Sequence, residues 1–290
     1  MENNYNGVDI NKINEFATFN YKQMKYIMKQ IENSICKIEV KKDKEIKYGS
    51  GFLCNILFGE TILHCIITCN HVINEYIIYK IKKFKISFEN DKHPYEIKLN
   101  GFKIVYTNKE NDTTIIEINS NDNLYGHNFL SVDKEIYETK SLKNIKNEII
   151  YLLHYPINNF NSNCHISKGT IINIDENNII FSGFSNKGSS GCPILRLYNY
   201  KVLGIHKGRN KKNNLKIGKN IKSITKDLER SFIKRILMIK RAISPLLLFW
   251  GGIVMYGGYK DKNGPSIQSG TMLILSGLNI IDFFEYFLTD

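Results

Sequence analysis

The stretch "GFSNKGSSGCPIL", Gly183–Leu195, sets two adjacent serines between glycines where neither a regular strand nor a regular helix accommodates them. Glycine at 188 and 191 opens the backbone to positive φ, so the segment is a shaped turn. It reads either as a plain strand connection or as a turn holding one serine hydroxyl against a reacting carbonyl. The surroundings decide which. From Ser34 to about Gly208 the chain runs in short β-branched and aromatic segments broken by Gly, Asn and Asp: "ICKIEV", "GSGFLCNILF", "LHCIITC", "KFKISFE", "TTIIEI", "EIIYLL", "TIINI", "NIIFSG", "PILRL" and "KVLGIH". Ten short strands with turn signals between them predict an all-β sandwich or barrel.

The two ends follow other rules. Before the strands, "NYKQMKYIMKQI" spaces Tyr21, Met24, Ile27, Met28 and Ile31 at helical intervals, predicting a short amphipathic helix. After them, "SITKDLERSFIKRILMI" repeats Ile224, Leu228, Phe232 and Ile236 and predicts a closing helix at about 223–239. Beyond Arg241 come two eighteen-residue runs without a charge, separated by "KDKN". An apolar helical tail at 242–290 fits two arrangements: a membrane hairpin, flanked by Lys234, Arg235, Lys240 and Arg241 on the inner side, or a helical pair packed on the protein. Asp282 and Glu285 weigh against the first.

Of the net charge of +12, +11 falls between Lys207 and Arg241, where thirteen lysines and arginines meet two acids. Such a block fits an anionic membrane face, or a solvated surface in a lysine-rich chain. It lacks the interleaved aromatics that stack bases, Phe232 apart, so nucleic acid is not the expected partner. The six cysteines form no CxxC pair and no His/Cys zinc spacing, and they read as free, mostly buried thiols. The first residues, "MENNYNGVDINKINEF", have no apolar core of signal-peptide type. The expectation is a chain facing a reducing, cytoplasmic compartment, not secreted by a signal peptide.

Hydrolysis by a hydroxyl nucleophile at neutral pH needs an imidazole, a carboxylate to orient it and backbone donors for the oxyanion. The chain offers each. "ITCNHVI" places His71 just past a strand, "ENDTTIIEI" places Asp112 at the mouth of another, and "KGSSGCP" supplies Ser190 between Gly188 and Gly191. No metal or organic cofactor is needed for this chemistry.

These segments resemble the chymotrypsin-fold, trypsin-like serine peptidases, whose order is His, Asp, Ser. "GSGFLC" followed by "TCNHV" resembles that family's first strand pair and histidine turn, "NDTTIIEI" its aspartate strand and "KGSSGCPIL" its nucleophile loop. The likeness spans roughly 34–230. It implies two six-stranded antiparallel β-barrels at about 34–120 and 121–222, an N-terminal extension at 1–33, and a peptidase domain ending near 241 before the tail. It also implies a His71, Asp112, Ser190 triad and an oxyanion hole from the amides of Gly188 and Ser190. The substrate would be a polypeptide. Ser189 stands where the digestive branch has its activation aspartate, so activation by that ion pair is not expected. Val72 stands where that branch has a bridged cysteine, and nothing requires Cys54 and Cys69 to pair.

The pattern is closest to the bacterial glutamyl endopeptidases, which "LLHYP" also resembles. There, and in the picornaviral cysteine proteases, a histidine in a "GxH" segment and a hydroxyl five residues before the nucleophile contact a Glu or Gln side chain. "VLGIHKG" and "GFSNKGSS" put His206 and Ser185 in those places. The resemblance therefore implies preference for Glu or Gln before the cut, against the plainer reading of His206 as a structural strand histidine. A catalytically inactive or latent peptide-binding module tethered at a membrane is the alternative to an enzyme.

Overall fold

A computed structural model describes residues 19–234, except 43, 100–102, 125, 139–140, 158–162 and 211–213. The chain divides into two compact units, 1–227 and 228–290. The second is described only through residue 234, which is helical, and the apolar tail expected at 242–290 lies outside the described residues. Among the described residues no helix is long and apolar enough to cross a membrane.

The N-terminal helix, Tyr21–Ser34, starts at a reciprocal cap: Asn20 Oδ1 accepts from Gln23 N–H and Gln23 Oε1 from Asn20 N–H, both at 2.9 Å. Its buried face is Ile27, Gln30, Ile31 and Ser34. The expected stripe is thus corrected, since Tyr21 and Met28 face solvent and a polar residue takes part instead. Gln30 Oε1 accepts from the Tyr151 hydroxyl at 2.6 Å, and its amide donates to the Tyr200 carbonyl at 3.0 Å. Those bonds satisfy a buried amide and tie the helix to a strand and a turn far along the chain.

Eight strands form the first sheet: β1 (Ile35–Lys42), β2 (Glu45–Phe58), β3 (Thr61–Thr68), β4 (Lys83–Ser87), β5 (Tyr95–Lys98), β6 (Val105–Asn108), β7 (Thr113–Glu117) and β8 (Leu130–Ser131). Their order is β5-β4-β1-β2-β3-β7-β6, with β8 parallel to β2. Ile38, Phe52, Leu53, Ile56, Ile66 and Ile67, on the two faces of the sheet, are all fully buried. It does not close, which corrects the expectation of two closed six-stranded barrels. The two ends, β5 and β6, are four residues each and do not pair with one another, leaving a half-barrel.

The second sheet does close. It consists of β9 (Ile149–His154), β10 (His165–Ile174), β11 (Asn178–Gly183), β12 (Pro193–Arg196), β13 (Val202–Arg209) and β14 (Lys216–Asn220), in barrel order β10-β11-β14-β13-β12-β9. Tyr151, Ile171, Phe181, Ile194, Leu195 and Ile205 in its strands are all fully buried. Full closure removes the exposed strand edges that the first sheet keeps.

Candidate active site

His71 sits in a tight turn after β3. The amides of Val72 and Ile73 both fold back on the Cys69 carbonyl at 3.1 Å, which leaves the His71 side chain 50% exposed. Asp112 lies in the β6–β7 turn, held in the left-handed region at φ +51°, a conformation rare for a residue with a Cβ. Asn108 Oδ1 accepts the Asn111 amide, and the Asp112 amide donates to the Lys109 carbonyl at 3.2 Å. The strained turn aims the carboxylate at His71. Asp112 Oδ2 is 2.8 Å and Oδ1 3.0 Å from His71 Nδ1, and Oδ1 also accepts the His71 backbone N–H at 3.0 Å. Burial pushes the Asp112 carboxyl up, but the hydrogen bonds from the His71 ring and backbone, with the charges of His71 and Lys207, outweigh it and hold the group below its ordinary value. The sequence-predicted pair is therefore assembled.

The Gly183–Leu195 stretch forms the facing loop. Gly188 and Gly191 adopt φ +93° and +90°. A Cβ at 191 would come within 2.2 Å of the Ser50 carbonyl oxygen, and one at 188 within 2.6 Å of the Tyr155 carbonyl oxygen, so both positions exclude side chains. The loop's peptide planes are fixed from outside. The Lys187 carbonyl accepts from Ile157 N–H at 2.8 Å and the Ser189 carbonyl from Cys192 N–H at 3.2 Å. In trans peptides C=O and N–H point oppositely, so the amides of Gly188 and Ser190 are directed away from those anchors. Neither amide makes a hydrogen bond among the described residues. Two unengaged donors in one short turn have the form of an oxyanion site.

Ser190 is placed with its backbone against the first sheet: its carbonyl accepts from Ser50 N–H at 3.0 Å. Its hydroxyl donates to the Lys207 carbonyl at 3.3 Å and makes no hydrogen bond with His71. The loop and the His71 turn are nonetheless neighbours. The His206 carbonyl accepts both the Gly191 amide, at 2.9 Å, and the Cys69 thiol, at 3.4 Å.

Sequence reasoning missed two residues here. Ser50, buried in β2, donates its Oγ proton to the Gly188 carbonyl at 2.8 Å, accepts from Tyr155 N–H at 2.9 Å and receives the Thr68 hydroxyl on its carbonyl at 2.8 Å. His154, fully buried at the end of β9, has Ser189 Oγ 2.8 Å from Nδ1 and Ser167 Oγ 2.8 Å from Nε2. The Asn186 amide donates to Ser189 Oγ at 3.0 Å. The network therefore runs from that amide through the Ser189 hydroxyl to His154 Nδ1, leaving Nε2–H for Ser167. The only signal was "LLHYP", a histidine closing an apolar strand.

His206, on β13, is 2% exposed, with its ring edge-on to Phe181 at 5.7 Å and its Nδ1 without a partner. Burial first, then the charges of His154 and Lys216, pull its pKa down to about 3, and burial with His165 pulls His154 down to about 4. Both imidazoles are neutral at physiological pH. Ser185 is half-buried, and no hydrogen bond joins it to His206. Cys69, His71 and Asp112 bring one ligand atom each within 4.8 Å of one another. Burial raises the Cys69 thiol well above its ordinary value, and His71 and Asp112 already satisfy each other, so this donor set is poorly matched to a resident metal.

No protein-family model matches the chain, and no curated protein sequence matches it. Solved structures do. The serine endoprotease from Yersinia pestis aligns with a TM-score of 0.52 at 14% identity, over 74% of this chain and 68% of that one. The active form of the Rv3671c protease from M. tuberculosis aligns at 0.51 and 15%, over 74% of this chain and 91% of its own, and an inactive mutant form does so over 74% and 95%. At these identities the likeness is one of fold: a closed six-stranded barrel beside a half-barrel, the chymotrypsin-like architecture of serine proteases.

Proposed function

We propose that the chain is a serine endopeptidase in which Ser190 is the nucleophile, His71 the general base and Asp112 its orienting partner. The observation that carries this reading is the juxtaposition of the His71–Asp112 pair with a loop whose Gly188 and Ser190 amides are unengaged. Asp112 holds the proton on His71 Nδ1 and leaves Nε2 as acceptor. Rotation of the Ser190 hydroxyl from the Lys207 carbonyl to Nε2 completes the relay. The Oγ–C bond then forms as the proton passes to His71, and the developing oxyanion takes the two amides. The C–N bond breaks as His71 returns the proton to the leaving amine, and water hydrolyses the acyl-enzyme by the same route.

The substrate is a polypeptide, with Glu or Gln before the cut. His206 supports this through its unpartnered, neutral Nδ1, with Ser185 as the second contact. The tail at 242–290, with the basic residues before it, anchors the chain at a membrane with the catalytic unit on the cytoplasmic side. A fluorophosphonate probe is expected to label the full chain but not its Ser190→Ala variant. Equal labelling of the two overturns the assignment. A latent peptide-binding module is the second reading, favoured by the hydrogen bond from Ser190 to Lys207 in place of His71. Absence of labelling together with peptide binding selects it. Peptide-library profiling tests the Glu or Gln preference, and a full chain that stays in the supernatant on fractionation removes the anchor.

A further inference from the structure

Three buried cations among the described residues are compensated by acids. Lys103 is paired with Asp122 at 2.5 Å, and the Arg196 guanidinium meets Glu148, Glu135 and Asp133. Lys219 of β14 donates to Asn177 Oδ1 at 3.3 Å, with the negative charges of Asp227 and Asp175 acting on it. Lys216, at the start of the same strand, differs. It is only 5% exposed, its ammonium donates to the Asn214 carbonyl at 3.3 Å, and the residue directly opposite it across the β13–β14 ladder is Arg209. No carboxylate pairs with either cation among the described residues, and neither has a partner beyond those named. The intervening hairpin reads "NKKNNL" and contributes no acid.

Like charges directly opposed on a ladder oppose strand pairing, and a desolvated ammonium without a counter-ion is costly. Burial and the Arg209 charge both push the Lys216 pKa down, the direction expected of uncompensated positive charge. The pair also lies close to the reacting serine. Ser190 Oγ rests on the Lys207 carbonyl, and Arg209 is two residues further along β13, about 7 Å at the usual rise of a strand. The Lys216 charge acts on His206, whose carbonyl holds the Gly191 amide. The carbonyl that holds Ser190 Oγ is therefore flanked along β13 by His206 on one side and by the Arg209–Lys216 pair on the other.

We infer that Lys216, backed by Arg209, is the charged end of the pocket for the residue preceding the cut, and that this pocket selects a carboxylate, glutamate over glutamine. The inference rests on the peptidase reading for the identity of the pocket, and it sharpens the Glu or Gln preference to one of the two. A carboxylate supplies the missing counter-charge for both cations, whereas an amide leaves them uncompensated. His206 contributes a neutral hydrogen-bonding wall.

The test is equilibrium binding to the full-length Ser190→Ala chain, so that turnover is not needed. Two short peptides, identical except for a C-terminal Glu or Gln, are titrated by calorimetry. The Glu peptide is expected to bind about tenfold tighter or more, the scale of one well-made charge contact. Lys216→Met, which keeps the buried stem and removes the charge, is expected to bring the two affinities to within about twofold of each other. Arg209→Gln, at an exposed position, is expected to reduce the difference to about threefold and guards against a misfolded Lys216 variant. Equal binding, tighter binding of the Gln peptide, binding of neither peptide at millimolar concentration, or a Glu preference that survives Lys216→Met each overturns the inference. Fluorophosphonate labelling of the Ser190 chain reads the peptidase assignment separately, so the two failures are told apart.

Discussion

The half-barrel and the closed barrel build the candidate site by different physical means. The first sheet delivers His71 and Asp112 on short turns at the ends of β3 and β6, half-exposed, with orientation set by a strained φ at Asp112 and a two-pronged hydrogen bond. Its interior is apolar side chains and thiols, and burial pushes the thiols of Cys36, Cys54, Cys65 and Cys69 up, away from neutrality. The strands of the second barrel instead bury imidazoles and cations: His154, His206, Lys216 and Lys219. The first side leaves the His71 ring half-exposed to water. The second buries neutral histidines away from water. Ser50 joins the sides, since it belongs to the first sheet and fastens the loop of the second.

The sharpest way to break this contrast is Asp112→Asn. If the first sheet's contribution is an oriented base, labelling by a fluorophosphonate falls by about 10⁴-fold while the second barrel is untouched, as in serine proteases generally. An unchanged labelling rate would make the pair structural. Next in size is Gly191→Ala, which places a Cβ 2.2 Å from the Ser50 oxygen at φ +90°. Urea unfolding is expected to show a loss of about 3 kcal/mol or more, because backbone atoms have no room to yield. Ser50→Ala leaves the Gly188 carbonyl and the Tyr155 amide unpaired in a buried site, an expected cost of about 2 kcal/mol by the same measurement, with slower labelling as the loop loosens.

The gentlest test is pH. In the unfolded chain each histidine takes up a proton near pH 6.5, whereas in the folded chain His154 does so only near 4 and His206 near 3. Between these limits the unfolded state binds more protons, so stability falls as pH falls. The contribution is fully present above about pH 6.5 and declines by about 1.4 kcal/mol per pH unit for each histidine down to its folded value. Replacing His154 by Gln should flatten part of that slope in urea titrations at several pH values. A slope that does not change places the proton uptake elsewhere.

Much of this contrast was legible before any coordinates. All ten anticipated strands form, because runs such as "LHCIIT" and "NIIFSG" are β-branched, aromatic and bounded by turn residues. The four that escaped, β5, β6, β8 and β14, are short or polar. "KIGKN" of β14 looks like basic surface, yet both its lysines are buried against the barrel. The order His71, Asp112, Ser190 was readable because a nucleophile loop needs glycines at particular places. Ser50, His154 and the use of Ser189 as a bridge were not. Each acts through partners 35 to 138 residues away, and one-dimensional patterning carries no trace of such pairings.

The Gln30 anchor has a consequence for how the protein is made. Its acceptor on Tyr200 lies 170 residues downstream, and its donor on Tyr151 lies 121. At ordinary synthesis rates the helix emerges roughly 10–30 s before its final seat exists. A helix synthesised early is thus among the last elements to be seated, and its docking reports that the distant barrel has closed.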